Sequence, residues 1–310
     1  MNVDNQSWHG LIKDHCAQAN RPLIAVVGPT ASGKTAFSIA LAQYMSGEVI
    51  NADSRQLYRE LNIGTAKITK EEMQGVPHHM IDVLSPNEEA SVGWFQKHAL
   101  QIADSILERG KVPLLVGGSM LYVSAITDGL SLAPPADSAI RKHLEEEYDR
   151  DDGQSLHKRL QHYDPEVAQR IHQNNKPRLV RAVEIFDNGW NNTPKTQLWN
   201  SSESSPYDIL ILGVHMPREK SVVKINNRCA SMFATGWVGE VQDLLDSGYS
   251  ESDPAMKSHG YKEIMQYLQH GEPSSIEELQ ESIAAKTRQY ARRQMTWWKR
   301  DSRIHWIQPS

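Results

Sequence analysis

One eight-residue motif constrains this chain more than any other stretch. It reads Gly28-Pro29-Thr30-Ala31-Ser32-Gly33-Lys34-Thr35 and fits the pattern G-x-x-x-x-G-K-[ST]. The apolar run 23–27 before it indicates a buried strand, and the spacing of apolar residues over 36–45 after it indicates a helix. In this setting, backbone N–H groups and the helix N-terminus bind phosphate oxygens, Lys34 adds a full charge and Thr35 can ligate Mg²⁺. We therefore predict a binding site for a di- or triphosphate.

Further short apolar runs continue the same pattern. Residues 48–51 and 111–116 indicate buried strands, 95–109 place apolar residues on one helical stripe, and 304–307 suggest a last short strand. Strands that alternate with helices are typical of a parallel sheet with helices on both faces.

The character of the sequence changes twice further along. Pro134-Pro135 marks a break, residues 137–186 are polar and helical in period, and a turn-rich stretch follows over 187–206. The pattern of a buried strand then returns over 207–216. These changes predict three parts: a polar leader over 1–20, a sheet core over 21–130 and 206–310, and a helical insertion over 131–205.

Composition narrows the class of protein. No stretch of eighteen apolar residues occurs, so we expect no membrane-spanning helix, and the first twenty residues lack the features of a secretory signal. The two cysteines, Cys16 and Cys229, form no Cys-x-x-Cys pair, which argues against a thiolate zinc site and suits a reducing cytoplasm. Since the net charge is −5, any surface that binds nucleic acid must be a local patch.

The position of the acidic residues is unusual for a phosphate-loop kinase. The strand predicted at 111–116 ends in Gly117-Gly118, where a kinase would offer a metal-binding carboxylate. The strand predicted at 48–51 is instead followed by Asp53, and both strand ends point to the edge of the sheet that holds the phosphate loop. Asp53 is therefore a candidate base or metal ligand, although a carboxylate at this position could equally cap a following helix.

Eight segments occur in a recognisable order along the chain: GPTASGKT (28–35), INADSRQLY (50–58), IGTAK (63–67), PHHMIDV (77–83), LLVGGSMLY (114–122), NNKPRLVRAVEI (174–185), SHGYKEI (258–264) and KTRQYARRQMTWWKR (286–300). Together they resemble the tRNA isopentenyltransferase family, and the resemblance runs from Pro22 to Trp306. With the strand and helix pattern, it predicts an α/β fold with a P-loop NTPase-like parallel sheet core, flanked by helices and carrying a helical insertion domain.

The resemblance implies an activity and roles for particular residues. Members of the family transfer a dimethylallyl group from dimethylallyl diphosphate to N6 of the tRNA adenosine immediately 3′ of the anticodon, with Mg²⁺ as the expected ion. The phosphate loop would then hold the leaving diphosphate rather than ATP. By this resemblance Asp53 is the general base, Thr30 and Arg228 contact the bridging region and the leaving phosphates, and Thr35 ligates Mg²⁺.

The same resemblance implies a set of tRNA contacts. The target adenosine would be extruded into a channel opposite the diphosphate entrance, and the insertion would act as a mobile lid over the tRNA. The residues that match tRNA-contacting positions are Asp53, Ser54, Arg55, Gln56, Ser119, Arg141, Arg178, Arg181, Gly260, Tyr261 and Lys262. Ser119 stands where the family more often has threonine.

A basic segment near the end of the chain predicts a further RNA contact. Residues 286–303 contain seven Lys or Arg and one acid, Asp301. On a helical wheel these cations form two stripes away from an apolar stripe, so we predict that Lys286, Arg288, Arg292 and Arg293 contact the tRNA backbone. A solvated basic face is the alternative. The cations of the two stripes are Arg288, Arg292, Lys299 and Arg303, and Lys286, Arg293 and Arg300; the apolar stripe consists of Ala284, Ala291, Met295 and Trp298.

Two other functions remain open on the sequence alone. They are a phosphate-loop kinase for nucleotides or small molecules, and a non-enzymatic RNA-binding switch. The adjacent His78 and His79 lack a third ligand and favour structural hydrogen bonding over metal binding, and Trp297 and Trp298 favour packing. We expect the protein to be a monomer.

Overall fold

A computed structural model describes residues 8–129, 138–188 and 205–308. The chain divides into two compact units, with boundaries at Asp128 and Ser205. The first unit contains the sheet, and the second contains helices only among its described residues. Residues 1–7, 130–137, 189–204 and 309–310, which include parts of the predicted leader and insertion, lie outside the described residues.

The first unit is built on a parallel sheet, whose order is β3-β2-β4-β1-β5-β6. Every neighbouring pair is parallel, with β1 at the centre between β4 and β5. The predicted α/β class is confirmed, and five of the six strands fall in the apolar runs that the sequence indicated. The strands in the described residues are β1 (Pro22–Val27), β2 (Glu48–Asn51), β3 (His78–His79), β4 (Pro113–Val116), β5 (Asp208–Val214) and β6 (Ile304–Ile307).

Both faces of the sheet are buried, which explains the continuous apolar sequence of its central strands. In β1, Leu23, Ala25 and Val27 join one hydrophobic cluster, while Ile24 and Val26 join the cluster on the opposite face. Alternate side chains of a strand point to opposite faces, so a strand covered on both sides must be apolar throughout.

Helices cover the two faces of this sheet. In the first unit they are α1 (Trp8–Gln18), α2 (Lys34–Met45), α3 (Val92–Glu108), α4 (Met120–Thr127), α9 (Arg218–Ala234), α10 (Trp237–Asp246), α11 (Tyr261–His270) and α12 (Ile276–Trp298). None of the helices in the described residues is both long enough and apolar enough to span a membrane.

The predicted polar leader contains the helix α1, which packs on the core. Ile12 of α1 is buried in the same cluster as Phe37 and Leu41 of α2. The indole of Trp8 meets the ring of Phe37 edge to face, with the ring centroids 5.4 Å apart. A single fully buried side chain in eleven residues is too sparse a pattern to distinguish this helix from a solvated segment in the sequence.

The second unit packs its helices around a core of its own. The predicted helical period over 137–186 is confirmed by α5 (Ser138–Asp151), α6 (Gln154–Tyr163), α7 (Pro165–Arg170) and α8 (Lys176–Asp187). Leu144, Leu156, Leu160 and Leu179 are buried together, which gives this unit an apolar core without any strand among its described residues.

Candidate functional site

The phosphate loop connects the end of β1 to the start of α2, as the motif predicts. Gly28 has a φ of 145°, and a Cβ there would lie 2.8 Å from the carbonyl oxygen of Val214, so the loop requires glycine. The Lys34 ammonium folds back onto the loop and donates to the carbonyl oxygens of Gly28 at 3.0 Å and Pro29 at 2.7 Å. These two hydrogen bonds shape the loop around the side chain of its lysine.

This loop forms one wall of a cavity of about 360 Å³ at the carboxyl edge of the sheet. Three other parts of the first unit complete it: the ends of β2 and β4, the helix α9, and the helix α12. Outside the phosphate loop its polar lining residues are Asn51, Asp53, Gln56, Lys224, Arg228, Tyr290 and Gln294. The structure thus brings Thr30, Thr35, Asp53 and Arg228, all predicted from sequence, to one cavity.

The electrostatics of the cavity favour an anionic ligand. Burial, together with repulsion by Arg228, lowers the pKa of Lys34 to about 8, although attraction by Asp53 opposes this change. Burial also lowers the pKa of Arg228 from its usual value, although Asp53 opposes that change. Two half-buried cations near one carboxylate leave an excess of positive charge, which a diphosphate would neutralise.

Asp53 lies two residues beyond the end of β2. One carboxylate oxygen, Oδ1, accepts the N–H of Arg55 at 2.9 Å, and the main-chain N–H of Asp53 donates to Oδ1 of Asn51 at 3.2 Å. No α-helix begins here, so the carboxylate closes a local turn instead of capping a helix. The second oxygen, Oδ2, has no hydrogen bond to any residue that the structure describes, and Asp53 lines the cavity.

The residues that follow Asp53 are held by neighbouring loops. Ser54 donates its N–H to Oγ of Ser119 at 2.9 Å, so these two predicted site residues are adjacent. Nε2 of Gln56 donates to the carbonyl oxygens of Thr65 at 3.2 Å and Ala66 at 3.3 Å. Because the amide nitrogen is occupied in this way, Gln56 can offer its oxygen to a ligand as an acceptor.

Arg228 reaches the cavity from α9. Its guanidinium donates to the carbonyl oxygen of Thr65 at 3.3 Å, the same carbonyl that receives Gln56. The loop around Thr65 therefore sets the position of two predicted site residues at once.

A carboxylate from α10 organises this loop. Glu240 accepts the N–H groups of Asn62 and Ile63, each at 2.7 Å, and that of Gly64 at 3.1 Å. It also accepts the hydroxyl of Tyr261 at 2.5 Å. One carboxylate thus satisfies four donors, and it fixes the loop that carries Thr65.

The cavity suits Mg²⁺ that arrives with phosphate groups. No group of three His, Cys, Asp or Glu side chains in the described residues could hold a metal by itself. Mg²⁺ bound to phosphates needs only one or two protein ligands, and Thr35 and Asp53 both line this cavity. The donor set therefore fits a phosphate-bound Mg²⁺ and does not fit an all-protein metal cage.

The segment 260–262, which matches a tRNA-contacting segment of the family, lies mostly in the interior. Gly260 and Tyr261 are buried, and Tyr261 is fully enclosed with its hydroxyl on Glu240. Of the three residues only Lys262 is exposed. In this conformation Tyr261 supports the loop beside the cavity and offers no surface to a ligand.

Helix α12 also differs from its prediction. It ends at Trp298, so Lys299, Arg300 and Arg303 lie beyond the helix and do not extend its stripes. Lys286 pairs with Glu263 at 2.8 Å, and Arg288 pairs with Glu281 at 2.7 Å. The exposed cations on this helix without an ion pair to a described residue are Arg292 and Arg293.

The two adjacent tryptophans differ in exposure, and the two adjacent histidines are both hydrogen-bonded. Trp298 is buried as expected, whereas Trp297 is 37% exposed. Nε2 of His79 donates to the carboxylate of Glu48 at 2.7 Å, and Nδ1 of His78 donates to the carbonyl oxygen of Val76 at 2.8 Å. Both histidines are hydrogen-bonded within the fold, and they form the short strand β3 that the sequence did not reveal.

In the second unit, two of the three predicted RNA-contacting arginines converge on one buried carboxylate. Arg141 contacts Glu184 at 3.0 Å and Arg181 contacts it at 2.9 Å. Arg178, one helical turn before Arg181, is exposed.

Sequence reasoning did not identify Asn51, Tyr290, Gln294, Lys224 or Glu240. One signal was available for Gln294, since a glutamine interrupts the apolar stripe between Ala291 and Trp298. Asn51 and Glu240 form hydrogen bonds with main-chain groups, some of them distant in sequence, and no local sequence pattern indicates such contacts.

Comparison with known proteins finds relatives along nearly the whole chain. The family model described as IPP transferase matches residues 56–301, and the one described as isopentenyl transferase matches residues 22–88. The tRNA dimethylallyltransferase of Oceanobacillus iheyensis is 40% identical over 291 residues, which make up 93% of this chain and 92% of that relative.

Solved structures share the fold as well. The full-length tRNA isopentenylpyrophosphate transferase of Bacillus halodurans is 39% identical and superimposes with a TM-score of 0.69, covering 93% of this chain and 90% of that one. A eukaryotic dimethylallyltransferase, captured in crystals acting on tRNA, is 25% identical with a TM-score of 0.75, covering 90% of this chain and 70% of its own. The similarity therefore extends over sequence, fold and most of the length.

Proposed function

This chain belongs to the IPP transferase family, and on that premise we propose that it transfers a dimethylallyl group from dimethylallyl diphosphate to N6 of the adenosine on the 3′ side of the tRNA anticodon. One observation supports this activity above the others. The phosphate loop with Lys34, the guanidinium of Arg228 and the carboxylate of Asp53 all line a single cavity. The cavity thus combines an anion site with a base.

During the reaction, negative charge develops on the leaving diphosphate, which lies next to the cations of the site. The bond between the allylic carbon and the diphosphate oxygen breaks, and its electron pair stays on the oxygen. Lys34, Arg228 and the loop N–H groups stabilise that negative charge, while the hydroxyl of Thr30 contacts the bridging region. A Mg²⁺ ion held by Thr35 would neutralise further charge on the diphosphate.

Asp53 completes the proton balance of the reaction. The lone pair of N6 forms the new bond to the allylic carbon, which makes the nitrogen acidic. The carboxylate of Asp53 takes the proton, so the products are alkylated adenosine, diphosphate and a protonated carboxyl group that releases its proton to water. The unpaired Oδ2 described above is the oxygen suited to this step.

The adenosine must leave the stacked anticodon loop to reach the cavity. Four residues close to Asp53 would contact the extruded nucleotide: Ser54, Arg55, Gln56 and Ser119. The side-chain oxygen of Gln56 would accept a hydrogen bond from a donor on the purine. A set of Lys and Arg side chains would contact the phosphate backbone of the tRNA. They are Lys262, Arg292, Arg293 and Arg178, together with the cations that form ion pairs within the protein, Lys286, Arg288, Arg141 and Arg181. The protein would act as a monomer in the cytoplasm.

The residues at the ends of the strands are less consistent with a kinase function. The strand next to β1, which is β4, ends in Gly117-Gly118 without a carboxylate. The family relationship gives the kinase no support, because the relatives named above are transferases of isopentenyl or dimethylallyl groups.

A direct experiment separates the two functions. The protein is incubated with anticodon stem-loop RNA and Mg²⁺, and with either dimethylallyl diphosphate or ATP. We expect the RNA to gain the mass of one dimethylallyl group only with the former, and nucleoside analysis to locate it on N6 of the adenosine. Phosphorylated RNA, or no change with dimethylallyl diphosphate, would contradict the proposal.

A further inference from the structure

Gln294 is a buried polar side chain to which the proposed reaction gives no part. It is 2% exposed and lies on α12 between the buried residues Ala291 and Trp298. Its Oε1 accepts the N–H of Thr30 at 2.8 Å, and its Nε2 donates to the carbonyl oxygen of Gly118 at 2.9 Å. A single amide thus joins the phosphate loop, the loop after β4 and the helix α12.

The fit around this amide is tight and complete. Burial of an amide is unfavourable unless both of its ends are hydrogen-bonded, and here both are. A Cβ on Gly118 would lie 2.4 Å from Nε2 of Gln294, so the absence of a side chain at Gly118 lets the amide reach the carbonyl. The position of Gln294 is therefore fixed by both loops, and the position of each loop depends on Gln294.

The same two turns of α12 carry the exposed cations. Arg292 and Arg293 immediately precede Gln294 and are exposed. The guanidinium of Arg293 lies over the ring of Tyr290, 5.7 Å from its centroid, and Tyr290 lines the cavity. Cations that face outward and an amide that holds the phosphate loop are consequently parts of one rigid helical segment.

We infer that Gln294 is a positioning residue that couples RNA binding on α12 to diphosphate binding in the phosphate loop. The inference rests on the proposed function, because it takes Arg292 and Arg293 as RNA contacts. RNA that fixes α12 also fixes Thr30 and Gly118 through the amide, so the phosphate loop needs less ordering when diphosphate binds. By thermodynamic reciprocity, diphosphate must change the affinity for RNA by the same factor.

The coupling can be measured by equilibrium binding. The dissociation constant of anticodon stem-loop RNA is determined with and without saturating inorganic diphosphate and Mg²⁺. For the wild-type protein we expect diphosphate to tighten RNA binding by about fivefold or more. Gln294→Met keeps the length of the side chain but removes both hydrogen bonds, and it should bring the ratio of the two constants close to one while RNA alone still binds.

A matched control is available on the same helix. Gln289 is exposed, and Gln289→Met should retain the wild-type ratio even if it changes RNA affinity slightly. A second variant, Gly118→Ala, places a methyl group against Nε2 and displaces the amide without removing it. It should lose the coupling as Gln294→Met does, and it decides the question if Gln294→Met does not fold.

Two results would overturn the inference: a wild-type ratio near one, or an unchanged ratio in both Gln294→Met and Gly118→Ala. Transfer of the dimethylallyl group by the same wild-type preparation is measured in parallel. A protein that transfers the group but shows no coupling contradicts only the inference about Gln294, whereas a protein that binds RNA and diphosphate without transfer contradicts the proposed function.

Discussion

The side chain of Asn51 is hydrogen-bonded to both main-chain polar groups of Asp53. Its Oδ1 accepts the N–H of Asp53 and its Nδ2 donates to the carbonyl oxygen of Asp53, each at 3.2 Å. Nδ2 also donates to the carbonyl oxygen of Met80 at 2.9 Å, which ties the segment to a neighbouring loop. The proposed base is therefore held in place by a buried residue at the end of β2.

We expect loss of these Asn51 hydrogen bonds to slow the reaction more than it weakens the binding of diphosphate. Asn51→Leu preserves much of the side-chain volume but removes the three hydrogen bonds, so the carboxylate of Asp53 can move. A displacement of about 1 Å can reduce a rate by roughly a hundredfold. Single-turnover kinetics should show such a decrease with unchanged diphosphate affinity, whereas Asn87→Leu, at an exposed asparagine, should leave the rate unchanged. A full-rate Asn51→Leu enzyme would refute the positioning role.

The depressed pKa of Lys34 predicts linked proton uptake. Burial is the main cause that lowers the pKa of Lys34 to about 8, so in the protein without diphosphate this side chain loses its charge above that pH. Diphosphate favours the charged form and raises the pKa, so binding above about pH 8 takes up a proton and weakens as the pH rises. Calorimetry in two buffers of different ionisation enthalpy measures this uptake.

The control for this experiment is Lys34→Arg. A guanidinium stays charged throughout the range, so uptake should disappear in this variant if it still binds. Equal proton uptake by the variant and the wild-type protein would assign the proton to another group.

The other edge of the sheet carries an ion cluster that should govern acid stability. Burial alone would raise the pKa of Glu48, but hydrogen bonds from Lys111, His79 and Arg109 outweigh it and lower the pKa to about 2. A carboxyl group with a lower pKa in the folded state stabilises the fold above its unfolded pKa. That stability is lost as the pH falls from about 4.5 toward 2.

Glu48→Gln should remove this part of the acid sensitivity. The wild-type protein should lose on the order of 3 kcal/mol of unfolding free energy over that range. The variant should be less stable at neutral pH and show a flatter pH dependence in denaturant melts. Glu108→Gln, at an exposed carboxylate of α3, serves as the control. A Glu48→Gln curve parallel to that of the wild-type protein would contradict the assignment.

The ion pairs on α12 predict which cations determine the salt dependence of RNA binding. Arg292 and Arg293 lack ion pairs with described residues, whereas Arg288 is held by Glu281 and by Oδ1 of Asn226. Each backbone contact contributes about 0.7 to 0.9 to the slope of log K against log salt. Charge reversal of Arg292 and Arg293 together should lower the slope by roughly 1.5, and Arg288→Ala should lower it less. Equal slopes for all three proteins would exclude the proposed contact.

The sequence was sufficient to predict the sheet because its central strands are buried on both faces. Apolar runs at 23–27 and 48–51, the glycine-rich phosphate loop and the position of Asp53 are local signals, and the structure confirms the elements they indicate. The strand β3 consists of two histidines and carries no apolar signal, so it could not be found in this way.

Contacts between distant residues limited the prediction of the site. Gln294 and Thr30 are 264 residues apart, and only the fold brings them together. The match of its segment to a tRNA-contacting motif gives no indication that Tyr261 is buried by packing against Trp237 and by its hydrogen bond to Glu240. Helical periodicity likewise does not show where α12 ends, so the cations beyond Trp298 were placed on its stripes.

The central claim is that Asp53 removes the proton from N6, and Asp53→Asn tests it most directly. Asparagine keeps an Oδ1 that can accept the Arg55 N–H, so the local turn should survive while the base is lost. In single-turnover assays with bound stem-loop RNA and dimethylallyl diphosphate, we predict a rate 10²- to 10⁴-fold lower, on the order expected for a general base, with RNA affinity retained. Asp246→Asn, at an exposed carboxylate, should react at the wild-type rate. Alkylation by Asp53→Asn at the wild-type rate would contradict the claim.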